Sequence, residues 1–129
     1  MARKPSAQPT EVELRMLNVL WDRGPSTVRE IHNHLAETKQ TSYATTVKML
    51  LVMFEKGLVK RDDSRRPLVY RAAEPRRSTQ RRMLKDLIQR AYDGSAASLV
   101  LQVLSSQRTS RRDLDEIHRL VDELKRKTS

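Results

Sequence analysis

TSYATTVKMLLVMFEKGLV, residues 41–59, is the stretch whose reading decides the fold. Ser42 suits a helix start, because its hydroxyl can accept a bond from a backbone N–H two or three residues on. Gly57 suits the end, where a left-handed residue closes the last turn. Between them Val47, Leu50 and Phe54, with Leu51 and Met53 beside them, recur at spacings of three and four, an apolar stripe on a helix. The first turn and the other side carry Ser42, Ala44, Thr45, Lys48 and Met49, with no carboxylate before Glu55. A helix end built of short hydroxyls and a cation fits DNA bases and phosphates. An ordinary amphipathic helix with a solvated polar face is the alternative, and the flanking sequence has to decide.

Working outward, two more helical patterns precede it. Thr10 and Glu13 form a capping box, followed by Val12, Met16, Leu17, Val19, Leu20 and Trp21 and closed by Gly24-Pro25. Trp21 continues the apolar stripe and reads as core rather than as a ligand-stacking residue. Thr27 and Glu30 form a second box, with Val28, Ile31 and Leu35 on one face to about Glu37. A short turn, Thr38 to Thr41, then leads into the central stretch. This is the layout of a helix-turn-helix. Downstream, residues 58–61 (LVKR) and 68–71 (LVYR) are strand-like, and the loop between them ends in Arg65-Arg66-Pro67. A basic hairpin after such a helix reads as a wing able to touch a neighbouring phosphate, a solvated turn being the plainer alternative.

Glu74 to Ser78 reads as a linker, and three further helical patterns follow it. Thr79 to Tyr92 carries Met83, Leu84, Leu87, Ile88 and Ala91. Ser95 caps a short helix with Leu99, Val100, Val103 and Leu104. Ser110 caps the last, where Leu114, Ile117, Val121 and Leu124 recur almost as a heptad seam. Three short helices cannot bury all of these stripes against one another, so this half is expected to pair with a second copy. All three glycines, Gly24, Gly57 and Gly94, fall just past a helical pattern.

Composition agrees with this reading. The 129 residues are 37% hydrophobic and 33% charged, with a net charge of +10. The sequence pI is near 10.5, a surplus that favours a polyanion. No apolar run approaches the ~20 residues a membrane span needs, and the opening MARKPSAQPT is not followed by a signal-peptide apolar region. Cysteine is absent, which excludes disulfides, thiol catalysis and thiolate metal sites. His32, His34 and His118 show no metal-ligand spacing, and Asp62-Asp63 is a turn pair rather than a positioned acid–base couple. A cytoplasmic non-enzyme with no metal or other cofactor is expected.

The expected fold is mainly α with a small β-hairpin wing: residues 1–9 a mobile basic arm, 10–73 a winged helix-turn-helix, and 74–129 a helical dimerisation domain. Ser42, Tyr43, Thr45, Thr46 and Lys48 are expected to face the major groove, and Arg65 and Arg66 the flanking backbone. Leu84, Leu87, Ile88, Leu99, Val100, Val103, Leu114, Ile117, Val121 and Leu124 are expected at the dimer interface. The expected function is that of a homodimeric, sequence-specific DNA-binding protein that reads a two-fold symmetric site. The rivals are a sequence-indifferent architectural DNA-binding protein and a protein–protein adaptor on the same scaffold.

The run SYATTVKMLLVMFEKGLV, the RRPLVYRA wing, the opening TEVELRMLNVLW, the segment STVREI and the stretch DGSAASLVLQVL together resemble the penicillinase repressor family over nearly the whole chain. That group includes β-lactamase, methicillin-resistance and copper-responsive repressors. The resemblance implies a winged-helix repressor that binds its operator as a homodimer and is released by an inducing signal. In the antibiotic-responsive members a membrane sensor-protease triggers cleavage at an Asn-Phe bond in the dimerisation half. The position that lines up here is Gln102-Val103, so the family's cleaved bond is not reproduced. Copper-responsive members carry a C-terminal cysteine cluster, which this chain lacks.

Overall fold

A computed structural model describes residues 8–36 and 41–128. The expected arm at residues 1–7, Glu37 and residues 38–40 of the expected turn lie outside the described residues. The elements in chain order are α1 (Glu11–Arg23), β1 (Ser26–Thr27), α2 (Val28–Ala36), α3 (Tyr43–Lys56), β2 (Val59–Asp62), β3 (Val69–Ala72), α4 (Arg76–Ala91), α5 (Ala96–Ser106) and α6 (Arg111–Thr128). The chain is thus mainly helical with a small antiparallel sheet, in the order β1-β3-β2. Contacts divide it into two units, one ending at Leu84 and the other beginning at Lys85, so that α4 runs through the division.

In the first unit the helix starts follow local chemistry. The Glu13 N–H donates to Thr10 Oγ1 at 3.2 Å while Glu13 Oε1 accepts from the Thr10 N–H at 2.9 Å. Thr27 and Glu30 repeat the exchange, with Glu30 Oε1 accepting from the Thr27 N–H at 2.8 Å. That bond from the Thr27 backbone is the main cause holding the Glu30 carboxyl below its ordinary pKa. Ser42 caps α3, its hydroxyl accepting from the Thr45 N–H at 3.1 Å. Gly57 ends α3 at φ 82°, ψ 14°, a left-handed conformation that a Cβ would strain.

The core gathers Met16, Leu17 and Leu20 of α1, Ile31 and Leu35 of α2, Leu50 and Met53 of α3, then Leu58, Val59 and Tyr70. Each such side chain contributes about 1.5–3 kcal/mol on burial. Trp21 is half-buried against this cluster, as its place in the stripe implied. Its indole N–H also donates to the Glu74 carbonyl at 3.0 Å. The expected linker is therefore bonded in: Glu74 Oε1 accepts from Thr79 Oγ1 at 3.1 Å and from Arg82, and Arg76 pairs with Asp22 at 2.6 Å. These bonds let α4 begin at Arg76, one turn before the apolar pattern does. Pro9, expected within the arm, is buried.

Ser26 and Thr27, read only as a helix cap, also form a two-residue strand opposite Tyr70 and Val69. The register Val59↔Ala72 to Asp62↔Val69 builds the expected hairpin. In α3 the buried face is Thr46, Leu50 and Met53, while Phe54 and Leu51 are exposed. The expected stripe of Val47, Leu50 and Phe54 is thus rotated. The reason is that the Thr46 hydroxyl finds internal partners and so can be buried.

In the second unit Ser95 caps α5, accepting from the Ser98 N–H at 3.1 Å, and the Ser110 hydroxyl accepts from the Asp113 N–H at 3.1 Å. Neither α5 nor α6 buries a residue, and Val100, Leu101, Val103, Leu104, Leu114, Leu120, Val121 and Leu124 are all exposed. An open hollow of about 630 Å³ lies between α5 and α6, walled by Val103, Leu104, Ile117 and Leu120.

Candidate nucleic-acid interface

At about 100° per residue, the side of α3 opposite Thr46, Leu50 and Met53 carries Ala44, Lys48, Leu51, Val52 and Glu55, with Thr45 at its edge. All six are exposed. At the start of this face Ser42 Oγ and Thr45 Oγ1 share a hydrogen bond of 2.8 Å, which orders two of the expected contact groups. Tyr43 is exposed beside them, with the Arg29 guanidinium 4.1 Å from its ring centroid and the His32 ring edge-on at 5.5 Å. Lys48 makes no hydrogen bond or ion pair among the described residues.

Thr46 does not join this surface. It is 1% exposed, with His32 Nδ1 3.0 Å from its hydroxyl, which donates to the Ser42 carbonyl at 3.3 Å. Its role is to fasten α3 to α2, because a helix face pointing at the core cannot also point at a groove. His32 is its partner in that fastening. His34 sits 2.6 Å from an Arg23 nitrogen, and His118 lies 3.6 Å from Asp122. No cluster of ligands able to hold a metal occurs among the described residues.

The wing is tied to α3 by Arg61, whose guanidinium stacks 4.1 Å from the Phe54 centroid and pairs with Asp63 at 2.9 Å. Its turn is closed by Asp62, which accepts from the Ser64 N–H at 3.0 Å and from its hydroxyl at 2.5 Å. Those bonds hold the Asp62 carboxyl below its ordinary pKa. The two tip arginines differ. Arg66 folds back, donating to the Asp63 and Arg65 carbonyls at 2.7 and 2.9 Å, whereas the Arg65 guanidinium makes no hydrogen bond among the described residues. Arg65 is thus the freer of the pair to meet an anion.

At its far end α3 is held by an ion pair. Lys56 Nζ lies 3.0 and 2.9 Å from the two oxygens of Glu13, which is 5% exposed. Burial pushes the Glu13 carboxyl up, but bonds from Lys56 and Thr10 outweigh it and leave the pKa lowered.

A helix carrying short hydroxyls and an exposed lysine, flanked by a wing with an exposed arginine, matches a winged-helix reader of duplex DNA. The sequence pattern of the penicillinase repressor family matches residues 9–123. The chain belongs to the penicillinase repressor family. The penicillinase repressor of Bacillus licheniformis is 25% identical over 118 residues, covering 92% of each chain. The family is one of DNA-binding transcriptional repressors. No helix among the described residues is long and apolar enough to cross a membrane.

Arg29 and Arg61 escaped the sequence reading. Neither stands in a motif of its own, and only their stacking on Tyr43 and Phe54 sets them apart. The expected dimer residues divide by exposure. Leu84, Leu87, Val100, Val103, Leu114, Val121 and Leu124 are exposed, and Ile88, Leu99 and Ile117 half-buried. Leu101, Leu104 and Leu120 are exposed as well and were not among those expected. Gln102 and Val103 lie inside α5, with the Gln102 carbonyl accepting from the Ser106 hydroxyl at 2.6 Å.

Proposed function

We propose that this chain is an operator-specific repressor that acts as a homodimer in the cytoplasm, reads a palindromic site with two copies of α3, and is released by an inducing signal. The observation that carries this reading is the outward face of α3, where Ser42 and Thr45 are exposed and held by capping bonds and Lys48 is exposed one turn on. Lys48 meets guanine or phosphate, Thr45 a thymine methyl or phosphate, and Arg65 and Arg29 the flanking backbone. Arg66 supports the turn that carries Arg65.

Dimerisation is supported by the apolar surface of α5 and α6, which exposes eight large aliphatic side chains. Val103, Leu104 and Leu120 of these wall one hollow together with Ile117, and a contiguous apolar patch marks an interaction site. A second copy doubles the DNA contacts and spaces two reading helices by about one turn of DNA. A signal that separates the copies abolishes tight binding. Where that signal is a membrane sensor-protease, cutting between Gln102 and Val103 requires α5 to unwind first, since the bond lies within the helix.

The test is selection of bound fragments from random duplex DNA at about 150 mM salt, where weak surface attraction is screened. A palindrome with half-sites about ten base pairs apart is the expected recovery. Recovery without a motif would turn the assignment to an architectural DNA-binding protein.

A further inference from the structure

We propose that Leu51 and Val52 are base-reading residues whose side chains receive thymine C5-methyl groups in the major groove. The inference rests on the operator-binding reading above and adds a base preference to it. Four large apolar residues of α3 are exposed: Tyr43, Leu51, Val52 and Phe54. Two of them are covered, Tyr43 by Arg29 and Phe54 by Arg61, each guanidinium 4.1 Å from the ring centroid. Leu51 and Val52, 41% and 44% exposed, have no such cover among the described residues.

These two residues are not scattered. Measured around α3 from Leu50, Leu51 falls at about 100°, Lys48 at about 160° and Val52 at about 200°. Lys48, the cation expected to meet DNA, therefore stands between them in rotation. Whatever Lys48 reaches, Leu51 and Val52 flank. Glu55 follows on the same side and disfavours a phosphate there, so the occupant next to the two aliphatic side chains is the base edge rather than the backbone.

The space around Val52 fits the same occupant. Thr45, Lys48, Met49 and Val52 wall one side of an open hollow of about 200 Å³, and Thr10 and Glu13 wall the other. The Glu13 carboxylate on the far wall is already paired with Lys56, while the aliphatic side, Met49 and Val52, accepts a methyl group. In the major groove the thymine C5-methyl is the apolar group that a base pair offers.

The experiment uses the full chain and the duplex recovered by selection, resynthesised with one thymine at a time replaced by uracil. That change removes the methyl group and leaves base pairing and the O4 acceptor. Wild type is expected to bind about fourfold more weakly at each contacted position, which is ~0.8 kcal/mol per methyl at 1.4 kcal/mol per tenfold. Leu51→Ala and Val52→Ala are expected to weaken binding to the thymine duplex and to be indifferent to uracil at the position each reads. Both positions are exposed and alanine favours helix, so an unchanged Tm is expected and checks that the variants fold. Indifference of wild type to every replacement, or variants that still discriminate as wild type does, overturns the inference and leaves operator binding intact. Selection that returns no motif overturns both.

Discussion

Lys56→Met is the perturbation that most directly tests how α3 is held in place. The change keeps the side-chain stem and removes the ammonium 3.0 and 2.9 Å from the Glu13 oxygens. Removing one member of a fully buried pair costs about 3–5 kcal/mol, because the other charge is left desolvated. Here the Lys56 side chain is 22% exposed, and Glu13 keeps the Thr10 N–H at 2.9 Å, so about 2 kcal/mol is expected. At about 4–8 °C per kcal/mol for a unit of this size, the melting temperature should fall by about 8–16 °C at pH 7. The pH dependence follows from the lowered Glu13 pKa. A carboxyl whose folded pKa lies below its unfolded value of about 4.3 contributes stability that is complete above that value, and loses it as pH falls through the folded pKa. The deficit of Lys56→Met should therefore shrink between pH 7 and pH 3. The double variant Glu13→Gln/Lys56→Met should recover most of the loss at pH 7, since no charge is then stranded. Thermal denaturation followed by circular dichroism reads all of this. A fall of under about 3 °C at pH 7, or a deficit that does not change on acidification, would refute the reasoning.

Thr46→Val should cost about 1 kcal/mol in chemical denaturation, from lost bonds to His32 and the Ser42 carbonyl, and leave the selected operator unchanged; a changed operator would return Thr46 to the DNA surface. Arg65→Ala should weaken binding to all sequences and lower the salt slope by about one unit, whereas an unaltered slope would remove Arg65 from the phosphate contacts. Trp21→Phe should destabilise the first unit by about 1 kcal/mol through the lost bond to the Glu74 carbonyl, and unfolding at an unshifted urea midpoint would show that this bond does not anchor α4. Leu120→Asp should convert a dimer to a monomer in sedimentation, because a carboxylate cannot be buried unpaired in an apolar interface; persistence of the dimer would move the interface elsewhere.

Much of the fold was legible because its signals are local. The Thr10–Glu13 and Thr27–Glu30 boxes, the Ser42 cap and Gly57 each act within a few residues, and each recurs in the structure. The hairpin was legible for the same reason, since its strands are joined by one short loop. Of the expected groove residues, Ser42, Tyr43, Thr45 and Lys48 are each exposed, and Thr46 is buried.

What local signals left open was the rotation of α3 about its own axis. Its apolar residues nearly encircle it, so periodicity alone favoured Val47, Leu50 and Phe54. The tertiary structure buries Thr46, Leu50 and Met53 instead, because His32 from α2 satisfies the Thr46 hydroxyl and Arg61 from the wing covers Phe54. Those partners are 14 and 7 residues away in sequence and meet α3 only once the core has closed. The sequence by itself thus determined which segments are helices, where all of them but α4 begin, and a charge surplus that favours a polyanion. Packing between segments decided which side of α3 faces out, that Arg66 rather than Arg65 folds back onto the wing turn, and that Leu51 and Val52 are left exposed.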